Sequence, residues 1–179
     1  SLDSRKAWKT VRDAAYDVIR YDQQGCYSPH VFYVQKGGNV SPREFARYLA
    51  HELENFEQRY PRRTLSIEEG ISLAEWRQKE EMSLFTKQEK EVLGEQNGSW
   101  TVVFGGNEGE LTPSCLNRVI KVVEVNELID VLPNIEAYRT YLQTVGIAAS
   151  PNELFQMAEL LGATGVTRIT ALGHMTSPE

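Results

Sequence analysis

Apolar residues recur along this chain in two rhythms, and the rhythms trade places several times. Between Asp3 and Ile19 the positions Trp8, Val11, Ala15 and Val18 fall at helical spacing with Lys, Arg and Asp between them, which predicts an amphipathic helix. The pattern runs out over Tyr21 to Gly25. Val31 to Val34 then predicts a short buried strand closed by Gly37-Gly38. Ser41, Pro42 and Glu44 form the signature of a capped helix start, and Phe45, Tyr48, Leu49, Leu53, Phe56 and Tyr60 mark one face of that helix as far as Pro61. Ser66 with Glu69 predicts a second capped start, for a helix running through Trp76 towards Phe85.

The second half returns to strands. Trp100 to Phe104 and Arg118 to Val125 are rich in Val and Ile, with a Gly-rich turn and Pro113 between them. Asn126 predicts the cap of a short helix through Leu132, and Tyr141 to Ala148 another buried strand. Ser150-Pro151-Asn152-Glu153 opens a last helix to Leu161, Gly162-Ala163-Thr164-Gly165 stops it, and Val166 to Leu172 is the final strand. Strands alternating with helices predict an α/β layer with largely parallel pairing.

Composition narrows the classes. A chain of 179 residues, 41% hydrophobic and 25% charged, has the balance of one globular domain with a substantial core. A net charge of −6 argues against nucleic acid or an anionic membrane as the main partner, and Arg62-Arg63 and Arg5-Lys6 with Lys9 are too short as basic clusters to reverse that. No apolar run approaches the length of a transmembrane segment, and no basic run followed by an apolar stretch stands at the start of the sequence. Two cysteines cannot build a disulfide framework, and their spacing suits no zinc site, so a reducing, cytoplasmic compartment is expected and no metal. The sequons at Asn39 and Asn97 then read as accidents of composition. His51-Glu52-Leu53-Glu54 starts like a zinc-protease helix, but position 55 is Asn where a second His is required. The chain opens at Ser1 in a helical pattern and stops at Pro178-Glu179, so residues 1–179 are expected to be one domain of a longer polypeptide.

The candidate chemistry centres on Cys26, in the polar run Gln23-Gln24-Gly25-Cys26-Tyr27-Ser28 between the first helix and the first strand. A thiolate attacks acyl carbons when a base or a lowered pKa supports it, and backbone N–H groups at a tight turn can hold the oxyanion. On local sequence two readings stand side by side, a nucleophile and a buried structural thiol. Cys115 has no comparable setting and reads as packing. His30, four residues after Cys26 on an extended segment, reads as structural. Gly105-Gly106-Asn107-Glu108-Gly109 follows a strand but lacks the spacing and the following helix of a dinucleotide fingerprint, and there is no P-loop.

At the Cys26 loop the chain resembles the aldehyde dehydrogenase superfamily, through Ala14-Ala15, Gln24-Gly25, Cys26 and Val31 to Val34. More closely it resembles the acyl-CoA reductase family that includes the fatty acid reductase of bacterial bioluminescence. That likeness is carried by Gln24-Gly25-Cys26-Tyr27-Ser28-Pro29, Leu116-Asn117-Arg118-Val119, Leu142-Gln143-Thr144-Val145-Gly146, Gly165-Val166-Thr167-Arg168 and Leu172-Gly173-His174-Met175-Thr176-Ser177-Pro178.

The resemblance implies a three-layer, aldehyde-dehydrogenase-like catalytic domain. It implies reduction of a fatty acyl-CoA or acyl-protein to an aldehyde with NADPH, through an acyl group held on Cys26. The superfamily places a Glu and a Phe beside the cofactor at positions occupied here by Ser114 and Leu116, which makes these two the cofactor-binding candidates. The nucleotide-binding domain would lie outside this chain, so residues 1–179 alone are expected to be inactive in hydride transfer. An acyl-transferring protein partner and a full-length homo-oligomer are implied in the same way. The rival reading from another class is a domain that keeps this fold and serves in assembly or partner docking.

Overall fold

The computed structural model describes residues 4–85, 89–105 and 111–177. Helix α1 (Ser4–Ile19) forms where the helical rhythm runs, and Val11, Ala14, Ala15 and Val18 are fully buried along its inner stripe. Trp8 departs from that stripe. It lies at the rim, with its ring 5.3 Å from Tyr48 and 5.9 Å from His51. Helix α2 (Pro42–Arg59) starts at the expected capping box, in which Glu44 N–H donates to Ser41 Oγ at 3.2 Å and Ser41 N–H to Glu44 Oε2 at 2.8 Å. Helix α3 (Ile67–Ser83) has the same device at Ser66 and Glu69. It ends before Phe85, whose side chain lies 92% exposed beyond the helix.

Strands β1 (Val31–Gln35), β2 (Glu91–Leu93), β3 (Thr101–Phe104) and β4 (Val119–Val125) form a sheet in the order β1-β4-β3-β2. The pairs β1/β4 and β3/β4 are parallel, with Phe32 opposite Val122 and Val102 opposite Ile120. Strand β2, not foreseen in the sequence, adds an antiparallel edge; three residues are too few to show a strand's period. The two faces separate by alternation along each strand. Phe32, Val102, Phe104, Ile120 and Val122 point into the core under α1 and α2. On the other face Lys121 pairs with Glu80 of α3 at 3.1 Å, and Val31 and Tyr33 pack against Leu111, Ile135, Met157, Leu161 and Val166. The expected α/β architecture holds: a mostly parallel sheet between layers of helices.

Two expectations are corrected in the C-terminal third. The start expected at Asn126 is a single 3-10 turn (Leu128–Asp130) capped by Glu127, whose N–H donates to Asp130 Oδ2 at 2.9 Å, and it leads straight into helix α4 (Val131–Ile135), past Leu132. Pro133 is tolerated because it falls in a first turn, where no helical N–H is required. Strands β5 (Thr144–Ile147) and β6 (Arg168–Ala171), joined by α5 (Pro151–Ala163), pair in parallel as a separate two-stranded sheet. A cleft lined by residues of both β1 and β5 lies between the two sheets. Among the described residues no helix is long and apolar enough to cross a membrane.

Candidate active site around Cys26

Helix α1 ends in an unusual way. Tyr21, Asp22 and Gln23 have φ of 52°, 50° and 61°, a left-handed turn in three consecutive side-chain-bearing residues. Leu116, Asn117 and Arg118, just before β4, make a second one with φ of 64°, 57° and 65°. Such residues cost roughly 1–3 kcal/mol each and persist only where the surroundings over-determine them.

Here each turn is the other's surroundings. Asn117 N–H donates to the Asp22 carbonyl at 3.0 Å, and Gln24 Nε2 to Asn117 Oδ1 at 3.0 Å. Arg118 Nε meets Asp22 Oδ1 at 2.6 Å, while its Nη1 meets Glu57 Oε2 of α2, also at 2.6 Å. Arg63 N–H adds a bond to Asp22 Oδ2 at 3.2 Å. Asp22, Gln23, Asn117 and Arg118 are all buried, so these bonds are made away from water, where leaving one unmade is costly.

Cys26 rides on the loop that leaves this junction, in a turn closed by Ser28 N–H donating to the Gly25 carbonyl at 3.0 Å. It is exposed, which removes the buried-thiol reading. Its neighbour Tyr27 lies under the Arg168 guanidinium, 5.6 Å from the ring centroid, and Arg168 also donates to the carbonyls of Met175, His174 and Ser177. The same C-terminal turn is gripped from below by the fully buried Asp17, which accepts from Gly173 N–H at 2.6 Å and Met175 N–H at 3.1 Å. Burial pushes the Asp17 carboxyl up to about 6, although those two bonds pull the other way. Gly173 has φ 85°, and a Cβ there would stand 3.1 Å from the Asp13 side chain.

Cys115 is half-buried, and burial pushes its thiol up to about 11. His30 is half-buried as well, with its imidazole held below the ordinary value by burial. Its Nδ1 lies 3.3 Å from Ser114 Oγ, which also accepts from Leu116 N–H at 3.2 Å. Ser28, Pro29 and His30, but not Cys26 itself, are among the residues lining the cleft between β1 and β5, of ≈ 770 Å³. Leu111, Tyr138, Met157 and Met175 give it an apolar lining. Tyr33 lines it too, and burial pushes the phenol up to about 12. Among the described residues no cluster of His, Cys, Asp and Glu could hold a metal ion.

A family model described as acyl-CoA reductase (LuxC) matches residues 2–179. The chain belongs to the LuxC acyl-CoA reductase family. A search of curated proteins returned no match. Membership implies a reductase acting on acyl thioesters. In this LuxC-family chain the two cofactor candidates are joined by the Leu116 N–H bond to Ser114 Oγ, with His30 beside Ser114; they are one hydroxyl and one apolar side chain, both half-buried. Neither supplies a carboxylate for a ribose diol or a cation for a phosphate, and Ser114 Oγ is already engaged, so the pair does not by itself fit a nicotinamide nucleotide. Part of Gly105–Gly109 lies outside the described residues.

Asp17 and Asp22 had no role legible in the sequence, and Gln23, Asn117, Arg118 and Arg168 stood out there only within motif blocks, without contacts assigned to them. Asp22 and Arg118 stand 96 positions apart, so no local spacing could have paired them. The local signal was the polar run Asp22-Gln23-Gln24 soon after helix α1, together with the block Leu116-Asn117-Arg118-Val119.

Proposed function

We propose that residues 1–179 are the thiol-nucleophile domain of a longer NADPH-dependent fatty acyl thioester reductase, with Cys26 as the nucleophile. What supports this reading most is the contrast between the two thiols, one exposed on a loop pinned at its base and one half-buried and pushed to about 11. Cys26 Sγ attacks the carbonyl carbon of an acyl-CoA or acyl-protein, the departing thiolate carries off the electron pair, and the acyl group remains on Cys26 as a new thioester. Backbone N–H groups of the turn, that of Cys26 among them, take the developing oxyanion. The leaving group is already good, so no base is needed to activate water. The apolar cleft that Ser28 helps to line offers the chain a dry place to lie.

NADPH supplies the hydride that releases the aldehyde. On this reading its main contacts lie in a nucleotide-binding domain outside residues 1–179, and Ser114 and Leu116 touch it at most along one edge. The full-length protein would work in the cytoplasm as a homo-oligomer, receiving its acyl group from CoA or from an acyl-transferring protein.

Peptide-mapped intact mass of the full-length protein after mixing with a long-chain acyl-CoA tests the reading. The expected result is an acyl adduct on Cys26 that disappears, with aldehyde released, when NADPH is added. Cys26→Ala should keep the fold and lose the adduct, and turnover retained in that variant would sink the proposal.

A further inference from the structure

The Cys26 loop leaves the body of the molecule at Gln23 and returns at Pro29, and one buried side chain ties both ends to the same strand. Gln23 is fully buried. Its Nε2 donates to the Pro29 carbonyl at 2.8 Å and to the Val119 carbonyl at 3.0 Å, and its Oε1 accepts from Val119 N–H at 2.7 Å. One amide thus closes the base of the loop across Gln24 to Ser28 and fixes that base to the first residue of β4, an inner strand of the sheet. Asn117 makes the second attachment. Its Oδ1 accepts from Gln24 Nε2 at 3.0 Å and from Arg63 Nη2 at 3.1 Å, and its backbone holds left-handed φ while donating to the Asp22 carbonyl.

From this geometry, and resting on the proposed function, we infer that Gln23 is a positioning residue for the Cys26 nucleophile, with Asn117 as its second anchor. Only a side chain with a donor and an acceptor in fixed relation can bond Val119 N–H, Val119 C=O and Pro29 C=O together. Glu offers no donor when ionised, Asn is a carbon short, and an apolar side chain leaves three buried backbone groups without this partner. The chemistry explains why the base of the loop must not drift. Acyl transfer needs the sulfur within about 3–3.5 Å of the carbonyl carbon, and a displacement of about 1 Å can cost roughly a hundredfold.

The test uses the full-length protein and compares wild type with Gln23→Met, Asn117→Gly and Leu49→Ala. For each, three quantities are read: the rate of acyl adduct formation on Cys26 from a long-chain acyl-CoA, kcat and KM for aldehyde formation, and the thermal unfolding midpoint. Gln23→Met is expected to slow acylation by roughly ten- to a hundredfold, with the loss in kcat and KM nearly unmoved. Asn117→Gly relieves the left-handed backbone while deleting the anchor, so it should keep the midpoint and still slow acylation about tenfold. Leu49→Ala, in the apolar core, should lower the midpoint and leave acylation alone.

A wild-type acylation rate in folded Gln23→Met overturns the inference. So does a loss in Leu49→Ala as large as that in Gln23→Met, which would mean that any softening of the fold slows the thiol. If Gln23→Met does not fold, Asn117→Gly decides alone, and an unchanged rate there is fatal. An adduct in wild type with unaltered variants removes this inference only, whereas a wild type that never acylates removes the proposed function and this inference with it.

Discussion

The slab between the helix pair and the sheet and the junction beneath Cys26 are both buried, yet they are held together by opposite means. In the slab, Val11, Ala15, Leu49, Leu53, Val102 and Ile120 meet with no directional bond between their side chains. Burial there contributes in proportion to apolar area and tolerates small rotations. In the junction Asp22, Gln23, Asn117 and Arg118 meet through bonds of 2.6–3.0 Å, and six residues sit in left-handed backbone. Such a region adds little net stability, because each bond replaces one to water, but it admits a single arrangement. The slab keeps the protein folded. The junction says where the loop goes.

The largest effect expected from breaking this contrast is at Arg118. Arg118→Met leaves Asp22 and Glu57 without the cation between them, a loss on the order of 3–5 kcal/mol for a buried pair broken from one side. Leu49→Ala should cost a similar amount, about 2–5 kcal/mol, by emptying core volume. Denaturant unfolding should therefore rank the two together. Alkylation of Cys26 by iodoacetamide under native conditions should separate them, changed in Arg118→Met and wild-type in Leu49→Ala. Equal labelling in both variants would erase the distinction between the regions.

The same contrast explains what could be read from the sequence. The slab was legible because its helices repeat apolar residues at 3.6 and its strands are short runs rich in Val and Ile, and because Ser41, Ser66 and Ser150 announce their helices through capping boxes. Cys26 was legible as an oddity, one thiol among polar residues. The junction was not legible, because its partners are drawn from four distant segments and its left-handed residues are Tyr, Asp, Gln, Leu, Asn and Arg rather than the glycines that usually mark such turns. Strand β2 escaped for lack of length, and the cleft that parts β5 and β6 from the main sheet has no local signature at all.

A smaller effect sits at the edge of the junction, where Asp17 holds the Gly173 to Met175 turn. Its carboxyl is raised by burial from 3.8 to about 6, so the folded state binds this proton more tightly than the unfolded chain does. Asp17's contribution is then fully present below about pH 4 and is lost as pH rises through about 6, a swing of about 3 kcal/mol against a neutral side chain. The stability of wild type relative to Asp17→Asn, followed by urea unfolding from pH 4 to 6.5, should fall by most of that amount, about 2 kcal/mol. A flat difference would mean that the buried carboxylate is better compensated by its two N–H donors than its burial implies.

The smallest effect separates the regions most cleanly. Ser41→Ala removes the cap of α2 and should cost about 1 kcal/mol. Ser41 shares no partner with Gln23, so the double variant Ser41→Ala with Gln23→Met should be additive to within about 0.5 kcal/mol. Gln23 and Arg118 both bond across the same two turns, Gln23 to Val119 and Arg118 to Asp22, so Gln23→Met combined with Arg118→Met should miss additivity by roughly 0.5–3 kcal/mol, the second substitution costing less once the first has loosened the turns. Unfolding free energies for the two cycles decide the matter. If the junction cycle proves as additive as the cap cycle, its bonds act one by one, and the interlocked turns are two separate turns that happen to touch.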